Sequence, residues 1–177
     1  MPKLDLSYIE LHVHKKFAGE NQFLLLKRSP ERKIYPNIWQ PITGKIDEGE
    51  TTKQAAAREL EEETGINDAQ LYSVHRVNIF YVEPRDSVVL SPVFLALTSP
   101  LAPLLKREGN DITKLLLSSK EMGTGGEVRL SDEHVEYKWC TFEEACNMIH
   151  WDNQIESLKI INDALNDDKK FGKFIRL

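Results

Sequence analysis

The sequence predicts an α/β sandwich, a sheet with helices packed on it. Three observations carry that reading. Several segments alternate or cluster β-branched and aromatic residues in the manner of strands. One segment, from roughly Thr52 to Thr64, is a capped amphipathic helix, and two further helical patterns close the sequence. A chain of 177 residues suits one domain, residues 1–177, with a sizeable core.

From about Ser7 to Lys16, Ile9, Leu11 and Val13 alternate with Glu10, His12 and His14, which predicts a half-buried strand. Phe23 to Leu26 forms a second strand ending in Lys27 and Arg28, with the turn between them around Gly19 and Asn21. Ser29 to Asn37 is polar and carries Pro30 and Pro36, so it is a loop; Trp39 to Thr43 is a short strand. Thr51 is placed as the N-cap of the helix, Gln54 completes a capping box, and Gly65 sits at the left-handed C-cap position. Ala56, Ala57 and Leu60 form its apolar stripe. Leu71 to Val82 and Val88 to Thr98 are long strands joined by a turn at Glu83–Asp86, and Pro92 signals an edge or a bulge. Val135 to Cys140 is a strand, Phe142 to His150 a helix opened by Thr141 with Glu144 three residues on, and Trp151 to Asn166 the last helix. Ile155, Leu158, Ile161 and Leu165 share one face of that last helix.

The stretch from Ser99 to Leu130 is broken by Pro100, Pro103 and a cluster of Gly123, Gly125 and Gly126, with a short helix predicted around 112–117. It reads as an insertion at about 99–130. A lid, a dimer contact and a surface loop without catalytic role remain open for it.

Hydrophobic residues make up 41% and charged residues 29%, as in a soluble globular protein. The net charge of −5 speaks against broad nucleic-acid binding. No apolar stretch reaches membrane-spanning length, and the N-terminus lacks the apolar segment of a secretory signal. Cys140 and Cys146 fit neither a zinc pattern nor a disulfide framework, so a cytoplasmic setting is expected.

The chemistry concentrates between Gly44 and Ile66. Glu59, Glu62 and Glu63 span an arc of roughly 100° on one helical turn. Carboxylates held that close repel one another unless a positive charge lies between them, and a hard divalent cation suits oxygen ligands. Arg58 lies one turn before Glu62 and can orient it. The Gly44–Gly49 loop brings Glu50 back toward the helix, and Gly44 offers a carbonyl oxygen. A run of glutamates alone is usually a solvated face; the full spacing argues otherwise.

These residues resemble the Nudix box, G-x5-E-x7-R-E-U-x-E-E-x-G-U with U aliphatic, and every fixed position is matched. The resemblance implies the Nudix fold, a mixed, curved sheet between helices. It also implies hydrolysis of a phosphoanhydride in a nucleoside diphosphate linked to another group, with Mg2+ or Mn2+. By that resemblance Glu59, Glu62 and Glu63 are metal ligands with the Gly44 carbonyl, and Glu50 is a further or water-mediated ligand. Arg58 orients the cluster; a surface i,i+4 bridge is the plainer alternative. The general base is open between Glu59 and Glu133, with Glu133 favoured as ligand or base reaching from across the sheet, against a plain loop acid. His134 reads as an ordinary loop histidine. His12 and His14 are a candidate metal pair without a third ligand.

Trp39 to Gly44, Glu133 to Trp139 and Trp151 to Gln154 resemble the dihydroneopterin triphosphate pyrophosphatases, a group also labelled dATP pyrophosphohydrolases. That implies a nucleoside or pterin triphosphate substrate, giving the monophosphate and pyrophosphate. Trp39 and Asn153 would meet the heterocycle, although Trp39 and Trp151 read equally well as core. Lys27 and Arg28 would meet the terminal phosphates. The long 99–130 stretch departs from that group. The alternatives are a dinucleoside polyphosphate hydrolase, for which Tyr81 is near the expected spacing but not at it, and a catalytically silent binding domain, which usually loses box glutamates. Pro84 misses the position expected of ADP-ribose hydrolases, and no coenzyme A signature precedes the box. The expected partner is a small nucleotide or pterin phosphate, with no nucleic acid and no membrane; a homodimer is left open.

Overall fold

The computed structural model describes residues 1–98 and 128–177. The helix expected around 112–117 and the role of the insertion lie outside the described residues. The strands are β1 (Lys3–Asp5), β2 (Tyr8–Phe17), β3 (Glu20–Arg28), β4 (Trp39–Gln40), β5 (Ile42–Lys45), β6 (Ala69–Val82), β7 (Ser87–Thr98), β8 (His134–Cys140) and β9 (Ile175–Arg176). The helices are α1 (Thr52–Thr64), α2 (Phe142–Met148), α3 (Asp152–Leu165) and α4 (Asp168–Phe171). The sheet runs β4-β3-β2-β7-β6-β9, with β1 added to β7, β5 to β2 and β8 to β3. It is mixed: β2 is parallel to β7 and antiparallel to β3 and β5. No helix among the described residues is long and apolar enough to cross a membrane.

Both faces of the sheet are covered. On one, Ile9, Leu11, Leu24 and Ile42 pack against Ala55, Ala56 and Leu60 of α1. The stripe of α1 is therefore centred one residue earlier than the sequence suggests, and Ala57 is exposed. On the other face, Phe23, Leu25, Val93 and Leu95 pack against Leu158 and Ile161 of α3. The alternation of β2 is as expected, but its polar side is not solvated. Glu10, His12 and His14 are only 3%, 2% and 6% exposed beneath this second layer.

Hydrogen bonds offset their burial. The Glu10 carboxylate accepts from His12 Nε2 at 2.8 Å and from Asn78 Nδ2 at 2.8 Å, and Asn78 also reaches Ser157 Oγ on α3. His14 Nε2 donates to Asn21 Oδ1. The candidate metal pair of His12 and His14 thus gives way to two histidines tied into the sheet.

Three further details differ from the sequence reading. The strand at 39–43 is broken at Pro41, so that β4 pairs with β3 and β5 with β2. Gly44 consequently lies in β5 rather than in the loop. Of the edge and the bulge expected at Pro92, only the bulge fits: Pro92 sits on an inner strand opposite Val77, where the β6 register shifts. β7 passes there from β1, paired as far as Val89, to β2, paired from Val93, so the missing N–H meets no ladder partner on that side. Finally, α3 is not the last element. Phe171 and Phe174 pack against each other, Phe171 against Tyr72, and β9 closes onto Tyr72 and Ser73.

Thr51→Ala removes one half of the observed capping box. It should destabilise the protein by about 1 kcal/mol, read as a shifted denaturant midpoint with an unchanged slope.

Candidate active site

Local sequence fixes both ends of the helix that carries the carboxylates. The Thr51 side chain accepts from Gln54 N, Gln54 Oε1 accepts from Thr51 N, and Gly65 takes φ 71° to cap the C-terminus with its N–H on Glu61 O. Downstream, Arg129 N donates to Thr64 O. Between these ends Glu59 and Glu63 point inward and Glu62 outward.

Arg58 organises the acids. Its guanidinium donates to both oxygens of Glu50 at 3.1 and 3.0 Å, to Glu59 Oε1 and Glu62 Oε2 at 2.9 Å each, and to the Lys45 carbonyl at 2.6 Å. These bonds tie the 45–50 loop to the helix, well beyond the i,i+4 surface bridge. They hold Glu50 below the usual carboxylate range and raise Arg58, first through Glu50.

Glu59 and Glu63 shift the other way. Burial raises Glu59 despite Arg58. Burial, then the charges of Glu59 and Glu133, push Glu63 up to about 9. Glu63 Oε2 is buried with no hydrogen-bond partner. Gly44 lies directly against Glu59: a Cβ added there would overlap the carboxylate. Glycine therefore leaves the room in which the Glu59 side chain lies.

The sequence reading expected Glu59, Glu62 and Glu63 to converge. Among the described residues no three acidic, histidine or cysteine side chains are already gathered as a ligand cluster. Arg58 stands among Glu50, Glu59 and Glu62, and Glu63 lies apart beneath them. The residues nonetheless suit a hard cation. The donors are carboxylate oxygens, one of them buried and unsatisfied, beside a glycine backbone.

Glu133 reaches this region as expected. It pairs with Arg32 at 2.9 Å and is half-exposed, and its charge acts on both Glu59 and Glu63. His134 is not the loop histidine expected. It opens β8, is 5% exposed, and both ring nitrogens lack partners. Its Nδ1 lies 3.9 Å from Glu63 Oε2, and burial, with Arg28 and Arg32 nearby, lowers it to about 4. Alternation along β8 gave no sign of this, since Val135 and Tyr137 are exposed. A pocket of about 600 Å3 opens beside it, lined by Ser29, Arg32, Leu130, Asp132 and His134.

The expected substrate contacts are engaged locally. Arg28 donates to the carbonyls of Ile34 and Tyr35, so it braces the 29–37 loop instead of pointing free toward phosphates. Lys27 pairs with Glu136 at 3.4 Å and lies 5.8 Å from the Trp39 ring centroid. Trp39 is half-buried against the second core. The Asn153 side chain accepts from Gln154 N. Trp151 meets Tyr35 edge-on at 4.7 Å, an aromatic partner the sequence reading passed over as loop.

A family model described as the NUDIX domain matches residues 16–162. The chain belongs to the Nudix family. It is a Nudix hydrolase with the mixed sheet and flanking helices of that fold. It is 30% identical over 138 residues to a bis(5'-nucleosyl)-tetraphosphatase [asymmetrical] of Caenorhabditis elegans, covering 76% of this chain and 78% of the relative. The solved binary complex of a C. elegans Ap4A hydrolase superposes with TM-score 0.65 and 26% identity, covering 91% of this chain and 98% of that one. Likeness to the Escherichia coli dihydroneopterin triphosphate diphosphatase is 49% over 37 residues, 21% of this chain and 25% of the relative. An octanoyltransferase of Myxococcus xanthus is 30% identical over 151 residues, 85% of this chain, but the match spans 35% of that relative's length.

Two outcomes test this geometry. Glu63 keeps its proton in the folded state well above the ordinary carboxylate value of 4.5. Unfolding therefore releases a proton, and metal-free stability should fall as pH rises from about 5 toward 9. Denaturant midpoints in chelator should show that slope, and Glu63→Gln should flatten it. Gly44→Ala should push Glu59 aside and cut turnover by about 100-fold or more, while circular dichroism at 20–25 °C remains that of a folded protein.

Proposed function

We propose that this Nudix hydrolase acts, with Mg2+ or Mn2+, on a dinucleoside polyphosphate, splitting a tetraphosphate bridge unequally into a nucleoside triphosphate and a nucleoside monophosphate. The carrying observation is the acidic pocket itself: Glu59, Glu62 and Glu63 on one turn, set against Gly44 and steadied by Arg58. The substrate choice is supported by the extent of the likeness. Similarity to the C. elegans tetraphosphatase covers 76% of this chain. Similarity to the pterin enzyme covers 37 residues, too few to span both α1 and β8. A nucleoside or pterin triphosphate, giving monophosphate and pyrophosphate, is the second reading, favoured by the 49% identity within that short stretch.

Glu59, Glu62 and Glu63, with the Gly44 carbonyl, are the groups that would hold the cation. When bound, it screens the polyphosphate and lowers the pKa of a coordinated water. The chain's own residues do the rest. Arg58 keeps the loop and helix in one arrangement, so the acids do not have to be gathered in each turnover. Glu133, steadied by Arg32, is the favoured acceptor for the proton of the attacking water, with Glu59 as alternative. Water oxygen bonds to phosphorus, the bridging P–O bond breaks, and the leaving phosphate carries away the electron pair. Tyr35 and Trp151 offer aromatic surface to a base at the loop edge.

Incubation with Mg2+ and diadenosine tetraphosphate should release ATP and AMP in equal amounts, faster than dATP, dihydroneopterin triphosphate or ADP-ribose is consumed. Faster turnover of the pterin triphosphate would move the assignment to the second reading, and inertness toward all four with either metal would overturn both. Glu62→Gln should lower kcat at least about 100-fold, beyond the 10–100-fold typical of groups that only support a ligand.

A further inference from the structure

Glu63 and His134 face each other with unfilled hydrogen-bonding capacity. Glu63 Oε2 and His134 Nδ1 are both buried, have no hydrogen-bond partner among the described residues, and lie 3.9 Å apart. That is about 1 Å beyond bonding distance. Their side chains are 6% and 1% exposed, so bulk solvent barely reaches them. Among the described residues, the arginines nearby are committed. Arg28 serves the carbonyls of Ile34 and Tyr35, Arg32 serves Glu133, and Arg58 serves Glu50, Glu59, Glu62 and the Lys45 carbonyl. The backbone of His134 is anchored, since it pairs with Arg28 across β3 and its N–H meets Ser131 O. The ring is thus presented to Glu63 from a fixed strand.

We infer that His134 is a positioning residue: its Nδ1–H donates to Glu63 Oε2, so that this carboxylate meets a cation with its other oxygen in one defined orientation. Carboxylates that ligate metals are themselves held by a further hydrogen bond, and that support is worth 10–100-fold in metal affinity. The inference rests on the metal-dependent reading above. It adds a role for a residue outside the glutamate-rich motif, and it specifies which ring nitrogen acts.

The test is a titration of Mn2+ into the full chain, with free Mn2+ read by electron paramagnetic resonance. The variants are His134→Phe, His134→Asn and His134→Gln, and thermal melts in chelator select those that remain folded. An Asn side chain places its amide N–H near the position of Nδ1, whereas Gln places it near Nε2. His134→Phe should weaken Mn2+ binding about 10–100-fold, His134→Asn should recover most of it, and His134→Gln should not. The Mn2+ concentration for half-maximal turnover should rise in parallel, with kcat at saturating Mn2+ close to wild type. Wild-type affinity in His134→Phe, or equal affinities in the Asn and Phe variants, would show that the ring only fills space and would overturn the inference while leaving the hydrolase reading intact. Absence of Mn2+ binding by the wild-type chain would overturn the metal-dependent reading, and this inference with it.

Discussion

The site depends on one guanidinium. Arg58 bonds to three carboxylates and a backbone carbonyl, and it does so from the helix to the loop that precedes it. Exposed ion pairs contribute about 0–1 kcal/mol each, so the importance of Arg58 lies in geometry more than in stability. A planar fork satisfied on both edges has few alternative arrangements, and each bond it makes restricts a different segment. Charge remains after this pairing. Glu50, Glu59 and Glu62 offer three carboxylates to one arginine. Such a group of acids would repel a bare polyphosphate and attract a divalent cation.

The rest of the fold brings distant segments to the carboxylates of α1. Gly44 on β5 leaves room for the Glu59 side chain of α1, and β2 holds β5 in place by antiparallel pairing from Tyr8 to Leu11. β8 brings Glu133 and His134 in from the far end of the sequence by pairing with β3. The opposite face of β2 carries Glu10, His12 and Asn78 in a closed set of bonds to α3. A fully satisfied buried network of this kind specifies how the α3 layer registers on the sheet, and so how Trp151 meets the loop that Arg28 braces.

What was legible in the sequence follows the range of the interactions. The caps of α1 join residues three or four apart, and both were readable from Thr51, Gln54 and Gly65. The family pattern placed Arg58 and the glutamates, since their spacing is a property of one helix and one loop. The burial of His134 was not readable, because Glu63 and Arg28, on α1 and β3, make its surroundings. The polar face of β2 misled for the same reason: alternation tells which residues share a face, not whether a second layer covers it. Lys27 and Arg28 were expected to meet phosphates, but the partners they have, Glu136 and the carbonyls of Ile34 and Tyr35, are set by tertiary approach. The convergence of three carboxylates was an inference from helical periodicity, which fixes the directions of side chains but not where their flexible ends settle once an arginine competes for them.

Glu62 and Glu63 show how far identical chemistry can be divided by one residue of helical rotation. At 100° apart, one is 58% exposed and bonded to Arg58, and the other is enclosed and holds its proton to about pH 9. A ligand that must ionise on binding couples cation uptake to proton release. If the two ligate a cation as proposed, Glu63 would link binding to pH, whereas Glu62 would need only a rotation away from Arg58. Rotation leaves Arg58 with Glu50 and Glu59, so the loop stays tied to the helix while one ligand is freed. The arginine that holds the acids apart is thus also what allows one of them to move without loss of the others.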